Sequence, residues 1–171
     1  MRRRSVFAVA TLVAALGLAA AGGAVGTPAT HVAPLSGGEE VPANDSLGRG
    51  IGVVQLSADG ESLSYKLNVA NIQNVTQAHI HLAPVGVNGG IVAWLYPAAP
   101  PAQLIPGRSD GELASGTITS ANLVGSLAGQ PLEALVDAIR SGNAYVNVHT
   151  SQFPPGEIRG QLSQGPQAHH H

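Results

Sequence analysis

The chain has 171 residues, with 8 lysines and arginines against 10 aspartates and glutamates, and no cysteine, so neither a disulfide framework nor a lipid-modified N-terminal cysteine is possible. Three of the eight basic residues are Arg2 to Arg4, and without them the balance is five against ten, which leaves no basic footprint for nucleic acid or an anionic membrane. With 22 glycines, 12 prolines and only 4% aromatic residues, the composition suits a loop-rich β protein more than a helical one.

Arg2 to Arg4 precede an apolar run from Val6 through Ala21 that ends in small residues, the layout of a secretory signal peptide. Residues 1–24 are therefore expected to be a signal peptide and residues 25–30 a linker. No later run is long enough to span a bilayer as a helix, so the mature chain is expected to carry no membrane span and to be secreted or to reside in the cell envelope. One domain is expected over 31–163, followed by a disordered tail over 164–171 that ends in His169, His170 and His171.

His31 to Ser36 reads as an opening edge strand, where Pro34 is tolerated because it need not donate. A turn-rich segment, Gly37 to Gly48, follows. Gly50–Leu56 and Ser62–Val69 flank Asp59-Gly60, a strong hairpin signal. In the second of these strands Leu63, Tyr65, Leu67 and Val69 share one face, while Ser64, Lys66 and Asn68 share the other. Val75 to Ala83 is expected as a separate strand, Asn88-Gly89-Gly90 as a turn, and Ile91 to Tyr96 as the next strand. Pro97 to Gly107 reads as a surface excursion, and Glu112 to Ile118 as another strand. Pro131 to Ser141 is the one convincing helix, because Leu132, Leu135, Val136 and Ile139 follow the i, i+3, i+4, i+7 stripe and Gly142 supplies the stop. Ala144–Thr150 and Glu157–Leu162 close the chain as strands. The expected fold is all-β: a Greek-key sandwich or barrel, immunoglobulin-like or superoxide-dismutase-like, with one short helix.

Chemistry concentrates in two distant stretches, Ala78-His79-Ile80-His81 and Tyr145-Val146-Asn147-Val148-His149-Thr150. Alternation puts His79 and His81 on one face of their strand, and Tyr145, Asn147 and His149 on one face of the other. If both strands lie in one sheet, three imidazoles converge. Neutral imidazole suits copper or zinc, and no paired carboxylate sits beside the histidines to favour iron. Glu40, Tyr145, Asn147 and Glu157 are then candidate fourth ligands or supports. A buried pair between Glu40 and Arg159 is the expected tie between the N-terminal loop and the last strand. The competing reading has the three histidines bonding to backbone or carboxylates and only ordering loops.

Leu35-Ser36-Gly37-Gly38-Glu39-Glu40-Val41-Pro42, Ala78 to His81, Asn88 to Val92, Tyr145 to Thr150 and Pro154 to Leu162, in that order, resemble the chordin-type (CHRD) domain family over about residues 31 to 163. The family occurs as repeats in animal chordins and as single-domain exported bacterial proteins, and this chain resembles the latter. The resemblance also invites comparison with copper-zinc superoxide dismutases, which place a His-x-His pair and a distant histidine in a Greek-key barrel. Here the intervening loop lacks a second histidine and aspartate set. No His-Glu-x-x-His or P-loop occurs. A binding module with a copper or zinc site, acting on an unidentified protein or envelope component, is therefore expected ahead of a metal-dependent redox enzyme or a purely structural or adhesive domain.

Overall fold

The computed structural model describes residues 29–165; the expected signal peptide, most of the linker and the terminal histidines lie outside the described residues. The elements in chain order are β1 Thr30–Ser36, β2 Arg49–Leu56, β3 Leu63–Leu82, β4 Gly90–Tyr96, β5 Ile105–Ile118, α1 Leu132–Arg140, β6 Ala144–Thr150, β7 Ile158–Gln161 and β8 Ser163–Gln164. Every pairing is antiparallel. Five strands close into a barrel, because β2 pairs both β1 and β3, β6 pairs both β3 and β7, and β7 returns to β1. β4 and β5 attach through β3, and β8 through β1. The all-β expectation with one short helix is met, and of the two architectures left open it is the barrel. No described helix is long and apolar enough to cross a membrane.

Alternation builds the core. Leu63, Tyr65, Leu67 and Val69 of β3 are buried between exposed Ser64 and Lys66. Ala78 and Ile80 from the far half of β3, Val146 and Val148 from β6, Ile158 from β7 and Leu35 from β1 join the same cluster. Each large aliphatic side chain so buried contributes about 1.5–3 kcal/mol. α1 buries the expected stripe, Leu132, Leu135, Val136 and Ile139. Val136 and Ile139 lie beside Leu56 and Leu63, so the helix covers the barrel end where β2 finishes and β3 begins. Pro131 sits at the N-cap with extended backbone, one position before the helix, where its missing N–H is not needed. Inside the barrel Gly52 of β2 faces Val146 of β6: a Cβ on Gly52 would come within 3.1 Å of Val146 Cγ2. Glycine is what lets the two walls approach.

Several boundaries differ from expectation. Ser62–Val69 and Val75–Ala83 are one strand, β3, of 20 residues. Asn71 and Asn74 take positive φ of 56° and 54°, and the register with β5 shifts there, so the strand bulges where the sequence suggested an end. β5 starts at Ile105, inside the expected excursion and before the expected Glu112. Its Pro106, Arg108, Asp110 and Glu112 lack an apolar rhythm because this strand is largely exposed, with Arg108 and Asp110 paired at 2.5 Å. β1 begins at Thr30 and β8 reaches Gln164, each one residue beyond the expected domain limits.

Gly52→Val is expected to destabilise the domain by about 1–3 kcal/mol through overpacking. In urea unfolding, Val146→Ala added to Gly52→Val should cost less than the two single changes together; additive costs would show that the two positions do not share one space.

Candidate metal centre

The β3–β6 register puts His79 opposite Asn147, His81 opposite Tyr145 and Gln77 opposite His149. Since Ala78, Ile80, Val146 and Val148 face the core, the three histidines, Asn147 and Tyr145 share the outer face of the barrel. That face is buried too: all seven residues of β6 are. Three connections cover it, from β1 to β2, from β3 to β4 and from β6 to β7. Between them Glu40, Asn44, Asn88, Tyr145, Asn147 and Phe153 line a cleft of about 410 Å³.

One nitrogen from each of His79, His81 and His149 lies within 4.8 Å of the other two. His79 Nδ1 is 3.2 Å from His149 Nε2. Two donors of a tetrahedral ion with bonds of about 2.0–2.1 Å stand roughly 3.3 Å apart, so this spacing fits a shared ion. His81 Nδ1 is 3.0 Å from the Gly89 carbonyl and His149 Nδ1 is 2.9 Å from the Pro154 carbonyl. A carbonyl only accepts, so both rings carry their proton on Nδ1 and present a bare Nε2. His81 Nε2 and His79 Nε2, both buried, have no partner among the described residues. Aromatic packing fixes the rings: His81 stacks on Tyr145 at 4.9 Å and 11°, and His79 meets Trp94 edge to face at 4.3 Å.

The other expected site residues sit close by in different roles. Arg159 does not pair with Glu40. Its guanidinium donates to Asn88 Oδ1 at 2.9 Å and Val87 O at 3.3 Å and lies 4.3 Å over the Tyr145 ring, so the β3–β4 connection and an aromatic face take the charge. Among the described residues Glu40 accepts only a long bond, 3.4 Å, from Asn147 Nδ2, and its Oε1 and Asn147 Oδ1 have no partner. Buried atoms left in that state cost about 1–3 kcal/mol each. Neither Glu40 nor Glu157 belongs to the imidazole cluster. Glu157 instead accepts from Ser46 Oγ at 2.7 Å and Thr150 Oγ1 at 2.6 Å, a structural tie between connections.

Four participants escaped the sequence reading. The Gly89 and Pro154 carbonyls are backbone groups, for which residue type carries no signal, although both lie in the Asn88-Gly89-Gly90 and Pro154-Pro155-Gly156 motifs. Asn44 donates to the Glu157 and Gly156 carbonyls at 3.1 and 3.4 Å, holding the β1–β2 connection against the β6–β7 connection. A Cβ on Gly156 would stand within 2.7–2.8 Å of Asn147 Oδ1 and Glu40 Oε1, and its φ is +142°, so only glycine fits there. Comparison with protein-family models finds the CHRD domain over residues 31–162. Comparison with curated proteins and with solved structures finds no match.

Burial, then the neighbouring His149 and His81, pushes the His79 imidazole down to about 3. Burial is also the main cause that pushes His81 down to about 4 and lowers His149. The trio is neutral at neutral pH, the state a metal requires. Burial pushes Glu40 the other way, up to about 7 against the opposing Arg159 charge. The histidines, whose unfolded forms protonate near 6.5, make unfolding take up protons, so they cost no stability above that pH and remove it as pH falls toward 4. Each imidazole that must take up a proton contributes a slope of roughly 1.4 kcal/mol per pH unit. Glu40 contributes in the opposite sense: its stabilising protonated form is fully present below about 4.5 and lost as pH rises through 7. Chemical denaturation of metal-free protein should therefore show stability dropping from pH 6.5 to 4.5, and Glu40→Gln gaining on wild type between pH 4.5 and 7. A flat profile across pH 4.5–6.5 would contradict the neutral, buried trio.

Proposed function

The chain belongs to the CHRD domain family, and from that premise we propose that it is an exported binding module with a copper or zinc site formed by His79, His81 and His149. The observation that carries this reading is the convergence of three buried imidazole nitrogens within 4.8 Å, two of them held in the ligand tautomer by carbonyls. Copper and zinc both accept neutral imidazole, and an all-nitrogen set without carboxylate disfavours magnesium or calcium. The ion would be held by His81 Nε2, by His149 Nε2 and by one nitrogen of His79, with the Gly89 and Pro154 carbonyls as orienting acceptors. Bound there, it would supply Lewis acidity and, if copper, one-electron chemistry. Export is supported by the Arg2 to Arg4 cluster and the apolar run Val6 to Ala21. A secreted or envelope protein is the partner class this location implies.

A metal-dependent redox enzyme is the second reading, favoured by the three-donor set, which leaves a coordination position free. Against it, the described residues hold one metal-competent cluster, not the two of a copper-zinc dismutase.

Metal analysis by mass spectrometry on the full chain, with His169, His170 and His171 replaced by alanine, should find one equivalent of copper or zinc after loading and dialysis. His81→Ala should abolish it. The loaded protein should also melt higher than the chelated one, because an ion bound only by the native state stabilises it by mass action. No retained metal, or equal retention by His81→Ala, would leave the histidines as loop-ordering groups. Superoxide consumption by the copper-loaded chain, absent from His81→Ala, would move the assignment to the redox enzyme.

A further inference from the structure

The cleft beside the trio has a floor that the fold leaves incomplete. Glu40 and Asn147 line it, are 8% and 3% exposed, and each holds one oxygen, Oε1 and Oδ1, without a hydrogen-bond partner. The orientation of the Asn147 amide is set by Glu40, since its Nδ2 must face the carboxylate at 3.4 Å and its oxygen must turn away. The point where Gly156 would carry a Cβ lies 2.7 Å from Asn147 Oδ1 and 2.8 Å from both Glu40 Oε1 and Asn147 Nδ2; it is too near the amide donor to be the ammonium position itself, but it shows the two oxygens to be near enough to each other for a single nitrogen placed on their far side from Nδ2 to reach both. Val41, Pro42, Phe153 and Pro155 supply apolar walls. Arg159, the nearest cation, is engaged by Val87, Asn88 and the face of Tyr145 and does not line the cleft.

We propose that this cleft binds a primary ammonium group on a short apolar stem, its N–H donors bridging Glu40 Oε1 and Asn147 Oδ1. Two acceptors on a common floor, one of them a carboxylate, call for one nitrogen with several protons, and charge-assisted bonds to a buried carboxylate are the strong ones. A volume of about 410 Å³ is in the range of small-ligand sites and holds a four- or five-carbon stem. Because both oxygens are screened by Gly156, the ligand enters by displacing the Gly156 segment of the β6–β7 connection, which is held by the Phe153 carbonyl to Gly156 N–H at 3.0 Å, by Asn44 to the Gly156 and Glu157 carbonyls at 3.4 and 3.1 Å, and by His149 to the Pro154 carbonyl at 2.9 Å. His81 lines the same cleft, but neither acceptor oxygen belongs to a histidine, and the proposal does not rest on the metal reading.

The test is a titration of the metal-free full chain with n-butylammonium, followed by the amide signals of Asn147, Gly156 and Asn88 in nitrogen-proton NMR. Saturable shifts are expected, weakened about tenfold or more in Glu40→Gln, whose shape is conserved and whose unchanged spectrum elsewhere certifies the fold. Gly156→Ala should also weaken binding, and Glu112→Gln, a carboxylate on exposed β5 paired with Lys66, should not. Nα-acetyl-lysine N-methylamide binding tighter than n-butylammonium assigns the ammonium to a polypeptide side chain, and the reverse order assigns it to a free amine; both support the site. Non-saturable shifts, equal binding by Glu40→Gln, or n-butanol binding as tightly as n-butylammonium would overturn it.

Discussion

Strand β6 is buried on both faces, and that single constraint organises the rest of the molecule. Its inner residues, Val146 and Val148, need only apolar neighbours, which the barrel supplies. Its outer residues, Tyr145, Asn147 and His149, are polar or amphipathic, and polar groups removed from water must find partners or lose free energy. Three connections answer that demand. The β3–β4 connection gives Gly89 O to His81 and Gly89 N–H to the Tyr145 hydroxyl, and the β6–β7 connection gives Pro154 O to His149. The β1–β2 connection is held over them by Asn44 and by Ser46, which bonds Glu157.

The covering is uneven in an informative way. Most buried polar groups on this face are satisfied, and those without a partner among the described residues, His79 Nε2, His81 Nε2, Glu40 Oε1 and Asn147 Oδ1, belong to the trio and the cleft floor. A domain selected only for stability would place apolar side chains there, since replacing both members of a poorly made polar contact is nearly free, whereas leaving one unmade is not. The proposed metal site and the proposed ammonium site both start from this concentration of unmade bonds. The imidazoles lack an electron-pair acceptor and the cleft oxygens lack proton donors, so the two halves of the site call for different chemistry.

Arg159 shows how context redirects a charge. It lies on the expected last strand, yet its guanidinium serves the β3–β4 connection and the Tyr145 ring instead of Glu40. The carboxylate at Glu40 is thereby left inside the protein with only the Asn147 amide for company. Sequence pairs opposite charges by availability; a folded chain pairs them by reach, and planar guanidinium also competes for carbonyls and aromatic faces.

Local pattern alone determined the elements whose two faces differ: the apolar stripe of α1, the alternation of Leu63 to Val69, and the shared face of His79 and His81, because side-chain direction follows from backbone period. It mistook the bulged middle of β3 for a break and the start of β5 for part of a surface excursion, since asparagine in the left-handed region and a solvated polar strand both look like turns in one dimension. What only the tertiary structure decided is the register between β3 and β6, the closing of the barrel through β1 and β7, and the folding of three connections over one face. Those depend on contacts between residues some 70 positions apart, such as His79 with His149. No local propensity encodes such a distance, and only the packing of the whole chain brings the groups together.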